Sequence, residues 1–406
     1  MQKHRLTRAE ILFLGAVLTS TCGDVLIPTA FALESLRIDA SGAGFTAVLI
    51  TLWIGRLIGA SLFQHFSADF SLLRIMLSAD AIRLCAQAGL AVWILTAEST
   101  VSALAISSLV YGVATAFFIP ARFSATTGYV KPTELQRFNS LISLTENGLR
   151  LIAPAAATAF FLTLGFPAIL FFDAATFIIG MILLALLPRA VPVKKPRSNA
   201  TAPTQSNRAS SRSLTDFRDF PRWAVVGLIV WTVLSAVIGF CGAAGPALLL
   251  QRFDERTWAL VAMASAAGSI VGSAGQLTGI LVRISWTHLL TTTSILLGMQ
   301  VALYALGNSL IFLTGIVFLA AIAVTVAGIA WDTHLQLKLG DATLRRFANW
   351  DDFFSSSAVF GGMLLFGLAA FNSLQAGSAV VLGIACVLCA VAVILFQSSR
   401  STPTHS

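Results

Sequence analysis

Six ionisable residues stand inside apolar stretches of the first half of this 406-residue chain: Asp24, Arg56, Asp80, Arg83, Glu146 and Arg150. A charge at the centre of a lipid-embedded helix costs about 2.5–3.5 kcal/mol on insertion scales, so such residues persist where they are paired or used. A carboxylate there can take up and release a proton. A guanidinium beside it can hold the carboxylate charged or grip an acidic group on a ligand. Glu146 and Arg150 are spaced i,i+4 on one helix face, and Asp80 and Arg83 i,i+3. The reading favours Asp24, then Glu146, as the proton-binding carboxylate, with Arg56 or Arg150 as its modulator or as the ligand contact. The bland alternative is that all of these are fixed ion pairs locking helices together. Asp80 and Arg83 are read that way, as a structural pair near the cytoplasmic face.

The elements that must position them are membrane-spanning helices. The chain is 57% hydrophobic and 11% charged, less than half the charged fraction of an ordinary soluble protein. Apolar runs near 20 residues recur from end to end, each able to cross a ~30 Å hydrocarbon core. The ~10-residue alternating strands of a membrane barrel are missing from the sequence. Twelve spans are predicted near 11–34, 43–64, 75–96, 101–121, 140–164, 167–188, 223–250, 257–280, 286–306, 309–331, 353–372 and 376–397. The break "LGFPA" separates the fifth from the sixth. The basic, then apolar N-terminus imitates a signal peptide, but its apolar pattern continues to Leu33 and reads as a first span.

Charge bias orients the chain. With the N-terminus inside, the inner loops hold 20 Lys and Arg and the outer loops three, Arg37, Arg252 and Arg256. Both termini are therefore expected on the cytoplasmic side, and the net charge of +8 reflects topology rather than nucleic-acid binding. The polar, basic stretch 189–222 reads as a cytoplasmic linker. It divides the chain into a six-helix bundle over 1–188 and a second over 223–397, with a cytoplasmic tail at 398–406.

The halves echo each other. "PARFSATTGYVKPTELQRFNSL" follows span four and "WDTHLQLKLGDATLRRFANWDD" follows span ten. Both read as charged inner loops ending in Arg-Phe followed closely by Asn: Arg137, Phe138, Asn139 and Arg346, Phe347, Asn349. Asp332, His334, Asp351 and Asp352 fall at this inner end and read as gate or capping residues. Asp173 reads as a helix-end cap near the outer end of span six. Gly268, Gly272, Gly275 and Gly279 are spaced for close helix approach. The second half offers only milder polar groups within its spans, Gln276, Gln300 and Thr325. The five cysteines lie in apolar runs and read as small buried hydrophobes.

Two similar halves joined by a long inner linker make the layout of a transporter with a parallel repeat. The whole chain resembles the major facilitator superfamily. The stretches from Gly112 to Ile178 and from Trp331 to Gly367 are similar to its enterobactin-exporter and macrolide-efflux branch. The superfamily's loop signature between spans two and three is matched loosely by Asp69 and Arg74, with Phe70 where a basic residue is usual. Its Gly-Pro of span five appears as Ala153-Pro154. The resemblance implies an all-α fold of two pseudo-symmetric six-helix bundles rocking about a central cavity, with Asp69, Arg74, Arg137, Asn139, Arg346 and Asn349 at the cytoplasmic gate. It also implies a monomer in the bacterial inner membrane.

No phosphate loop, metal-spaced set or placed nucleophile is present in the sequence, so neither an enzyme nor a cofactor is expected. The expected partners are a small-molecule substrate, protons and the lipid bilayer. The leading functional expectation is proton-driven export of an amphipathic molecule, such as a drug or a siderophore. An uptake transporter or lysolipid flippase of the same fold and a non-transporting membrane sensor are the alternatives.

Overall fold

The computed structural model describes residues 6–39, 43–66, 70–188, 220–252, 255–279, 285–306, 309–371 and 381–393. The described residues form α1 (Arg8–Asp24), α2 (Ile27–Ile38), α3 (Ala43–Phe66), α4 (Leu72–Thr96), α5 (Val101–Tyr129), α6 (Leu135–Leu164) and α7 (Phe166–Ala185) in the first half. The second half holds α8 (Arg222–Arg252), α9 (Glu255–Leu277), α10 (Trp286–Leu306), α11 (Leu310–Lys338), α12 (Asp341–Phe371) and α13 (Val381–Val393). With α1 and α2 forming one broken span, a helix stands at each of the twelve predicted positions. Nine spans among the described residues are long and apolar enough to cross a membrane.

Local signals set the helix ends. Thr7 and Glu10 form a reciprocal capping box at the start of α1. Ser71, Thr100 and Ser309 cap α4, α5 and α11 with their hydroxyls. Pro28 in the first turn of α2 cannot donate to the preceding turn, and span one breaks just after Asp24. The short break between α6 and α7 is real. Gly165 adopts φ 82°, a conformation costly for other residues, and Pro167 opens α7.

The two predicted charged loops are mostly helix. α5 continues through Arg122 to Tyr129 and α6 begins at Leu135; α11 runs to Lys338 and α12 begins at Asp341. Hydropathy reports where lipid stops, whereas these helices continue because their polar turns pack on other protein.

Buried apolar residues gather into three clusters that keep to their halves. One lies within 220–393, and two lie within the first half, toward and away from the linker. The packing repeats as well: α3 lies on α5 as α9 lies on α11, and α4 on α5 as α10 on α11. Small residues permit these approaches. A Cβ at Gly55 or Gly112 would strike the carbonyl of Leu109 or Leu52 between α3 and α5. Gly268 and Gly272 play the same part between α9 and α11. Between the halves, α6 meets α9 and α11, while α12 meets α3 and α5. The ends of α5, α7 and α11 and the starts of α6, α8 and α12 share one end of the molecule, called here the linker end.

Candidate functional site

Two polar clusters and one seal occupy the positions that the sequence singles out. The first cluster surrounds Asp24, at the break between α1 and α2. Arg83 on α4 reaches its carboxylate at 3.1 Å and also binds Asp80 one turn earlier. The Tyr111 hydroxyl on α5 donates to Asp24 as well. The guanidinium of Arg83 lies between the rings of Phe118 and Phe177, at 4.2 and 4.6 Å. Asp173 on α7 accepts a 2.9 Å bond from Gln87 and is close enough to Asp24, Asp80 and Arg83 for their charges to interact.

Several readings change here. Arg83, rather than Arg56 or Arg150, contacts Asp24. Asp80 and Arg83 do pair with each other, buried within the first bundle. Asp173 is fully buried in α7 rather than capping its end; Gly165 holds the cap position. Arg83 and Asp80 are almost completely enclosed, whereas the Asp24 side chain is 31% exposed. Asp24 is thus the cluster's contact with its surroundings. Arg83 contacts two of the cluster's three carboxylates, and the third, Asp173, is held by Gln87. Asp80 Oδ2, Asp173 Oδ1, Gln87 Oε1 and Ser20 Oγ find no hydrogen-bond partner among the described residues.

The second cluster spans the halves. Glu146 and Arg150 on α6 do pair, at 3.6 Å, but Arg122 on α5 is nearer to Glu146, at 2.8 Å. Asp332 on α11 interacts electrostatically with Arg122, Glu146 and Asp351. Arg56 on α3 meets Asp352 on α12 at 3.0 Å and lies over the ring of Trp53, which stacks on Phe360 of α12. The second half therefore does supply charge at the depth of Arg56, from residues that hydropathy assigned to an inner loop. Arg150 remains 67% exposed. It lies one turn beyond Asn147, which touches Ser273 of α9 at 3.2 Å, so this face of α6 looks toward the second half.

The seal closes the linker end. Asn139 on α6 donates to Thr333 and Gln336 of α11, at 3.0 and 2.8 Å. Its repeat counterpart Asn349 on α12 donates to the Ala60 carbonyl of α3 at 3.1 Å. The phenylalanine before each, Phe138 or Phe347, is buried in its own half and anchors the turn. Gln136 bonds Gln276, and Ser143 bonds Ser273. From Gln136 to Asn147 this seam runs ~16 Å along α6 at 1.5 Å per residue. Arg137 pairs with Glu134 at 3.7 Å, and Arg346 lies over the Phe220 ring. Arg74 is exposed at the start of α4; Asp69 lies outside the described residues.

Sequence reasoning missed Tyr111, Gln87 and the buried Glu34, which Arg37 grips at 2.7 Å. Neutral residues in apolar runs give no signal of a polar partner several helices away. Arg122 was visible but counted as a loop charge. No group of three His, Cys, Asp or Glu among the described residues is placed to hold a metal ion.

The Arg56–Asp352 bridge links α3 to α12, so neutralising either side should loosen the closed linker end. Arg56→Gln or Asp352→Asn is expected to shift the closed–open balance by about 1–2 kcal/mol, roughly five- to thirtyfold. The charge-swapped double variant, Arg56→Asp with Asp352→Arg, should recover most of it. Spin-label distances between the linker ends of α6 and α9 would measure the shift. Equal distributions in wild type and both single variants would refute it.

Two repeated helical bundles, meeting along a polar seam and carrying charge in their interior, form the architecture of a membrane transporter. The chain belongs to the Major Facilitator Superfamily, whose sequence model matches residues 12–343. Solved structures agree in fold. A bacterial homologue of the iron transporter ferroportin, in an outward-facing state with soaked iron, superposes with a TM-score of 0.72 at 16% identity, over 97% of this chain and 100% of that one. The proton:xylose symporter XylE, bound to a bromodeoxyglucose, gives 0.65 at 13% identity over 95% and 94%. The human organic anion transporter MFSD10 gives 0.63 at 13% identity over 95% and 99%. No curated protein matches the sequence at a significant level.

Proposed function

We propose that this transporter exports an amphipathic small organic molecule, a drug or a siderophore, in exchange for protons by alternating access. The observation that carries proton coupling is the Asp24 cluster. It gathers three carboxylates around a single guanidinium, two of them in contact with it and the third within reach of its charge. Two negative charges in excess inside a helical bundle are costly, and protons are the smallest species that offset them. Asp24, the exposed member, exchanges protons with the outside; Arg83 and Tyr111 release or hold it as the bundles move. Glu146 is a second candidate carboxylate, with Arg122 and Arg150 as its partners. The open guanidinium of Arg150 suits an acidic group on the substrate.

Export of a drug or siderophore rests on the branch resemblance of the Gly112–Ile178 and Trp331–Gly367 stretches. The charge bias of the loops supports both termini in the cytoplasm of a bacterial inner membrane. A monomer with two bundles, divided by a linker at 189–222, completes the reading.

The test uses the purified chain in proteoliposomes with an imposed pH gradient and ethidium as the amphiphilic probe. Proton-coupled exchange predicts ethidium movement that follows the gradient, reverses when the gradient reverses, and stops with a protonophore. Movement indifferent to the gradient would reject proton coupling. No movement of ethidium, with gradient-driven movement of a catecholate siderophore, would restrict the substrate to the latter class.

A further inference from the structure

We propose that a groove on the outer wall of the first bundle binds an anionic phospholipid, with its phosphate at Arg74 and an acyl chain between α4 and α5. A cavity of about 210 Å³ opens there, near the linker end. Ile82, Val113 and Phe117 form its apolar walls, and Phe70 and Arg74 stand at its mouth. From Arg74 to Ile82 the groove follows two turns of α4, ~12 Å at 1.5 Å per residue, enough for the first part of a lipid chain.

The mouth is basic. Arg74 is exposed and makes no ion pair with a described residue. It lies in the first turn of α4, where backbone N–H groups and the helix dipole favour an anion; Ser71 satisfies one of these groups, the Arg74 N–H. A second guanidinium approaches from the other half: Arg345 on α12 donates to the Phe70 carbonyl at 3.4 Å. A zwitterionic lipid brings its own cation to this mouth, whereas an anionic one brings only the charge that complements it. Basic pockets between membrane helices are the recurrent form of such recognition. The Arg345 contact crosses between the halves, so a lipid phosphate at this mouth also bridges them. It would favour the arrangement in which the linker end is closed, because that arrangement brings Arg345 to Phe70.

The test is native mass spectrometry of the full chain in detergent, titrated with phosphatidylglycerol or phosphatidylcholine of identical acyl chains. Wild type should retain phosphatidylglycerol about fivefold better, the preference expected from one guanidinium near a membrane surface. Arg74→Gln should remove that preference while leaving phosphatidylcholine retention unchanged, which also shows that the variant is folded. Ser78→Trp, on the exposed lining of the groove, should reduce retention of both lipids. Equal retention of the two lipids by wild type, or a preference that survives Arg74→Gln, would overturn the proposal.

Discussion

Arg83→Leu should yield a first bundle that fails to hold together, seen as loss of monodisperse protein and a collapse of its thermal transition. Arg83 is 1% exposed and serves Asp24 and Asp80 at once, while Phe118 and Phe177 enclose its charge. Its removal leaves buried carboxylates without a cation, and breaking a buried pair from one side costs about 3–5 kcal/mol. That is a large share of an ordinary folding free energy. Arg83→Lys should fall between, because a single ammonium cannot present two separate N–H edges to two carboxylates. The decisive control is the triple variant Arg83→Leu, Asp24→Asn, Asp80→Asn. It removes the charges together, and a buried ion network replaced as a whole is often no less stable than the original. Its transition should return most of the way to wild type. If the triple variant melts as low as Arg83→Leu, the defect lies in packing around the aromatic rings, and the electrostatic account is wrong.

Asp24→Asn is expected to leave a stable, folded protein in which gradient-driven transport falls to background. The carboxamide keeps the size of the side chain; its one oxygen can still accept from Tyr111 and, at the longer 3.4 Å approach, from Arg83, while the 3.1 Å bond to the second oxygen is lost. It cannot bind and release a proton. Substrate exchange across the membrane without a gradient should persist, because that half of the cycle needs no change in protonation. Counterflow in proteoliposomes separates the two: exchange retained and accumulation lost assigns coupling to Asp24. Accumulation retained would make Asp24 structural and move the coupling role to Glu146. Loss of both, in protein that remains folded, would place Asp24 in substrate binding instead.

The seal shows how a sequence repeat becomes useful geometry. The Arg-Phe steps before Asn139 and Asn349 are visible as a repeat. Their Phe residues had to be buried and their Asn residues left for the other half, since a polar amide gains nothing in its own apolar core. What the repeat does not reveal is the acceptor. Asn139 finds side chains on α11, whereas Asn349 finds a backbone carbonyl on α3. The same limit explains Asp352. Its neighbourhood is polar enough to look like a loop, and only the packing of α12 on α3 puts it opposite Arg56.

The class of the protein is legible in the order of its residues. Hydropathy records how each segment meets lipid, a property that neighbours in the chain settle among themselves, so twelve spans and the break at Gly165 are readable in order. The repeat determined that two similar bundles form. Which charges meet depends on how the helices pack against one another. Asp24 lies 59 positions from Arg83 and 87 from Tyr111, and is joined to them through helices whose rotation and depth depend on packing along their whole length. An ion pair needs its partners within a few ångströms, and one residue of helix rotation moves a side chain by about 100°. Spacing along a single helix therefore identified the i,i+3 and i,i+4 pairs. The partners that join helices, Asp24 to Arg83 and Arg56 to Asp352, were set by the close contact of helix surfaces.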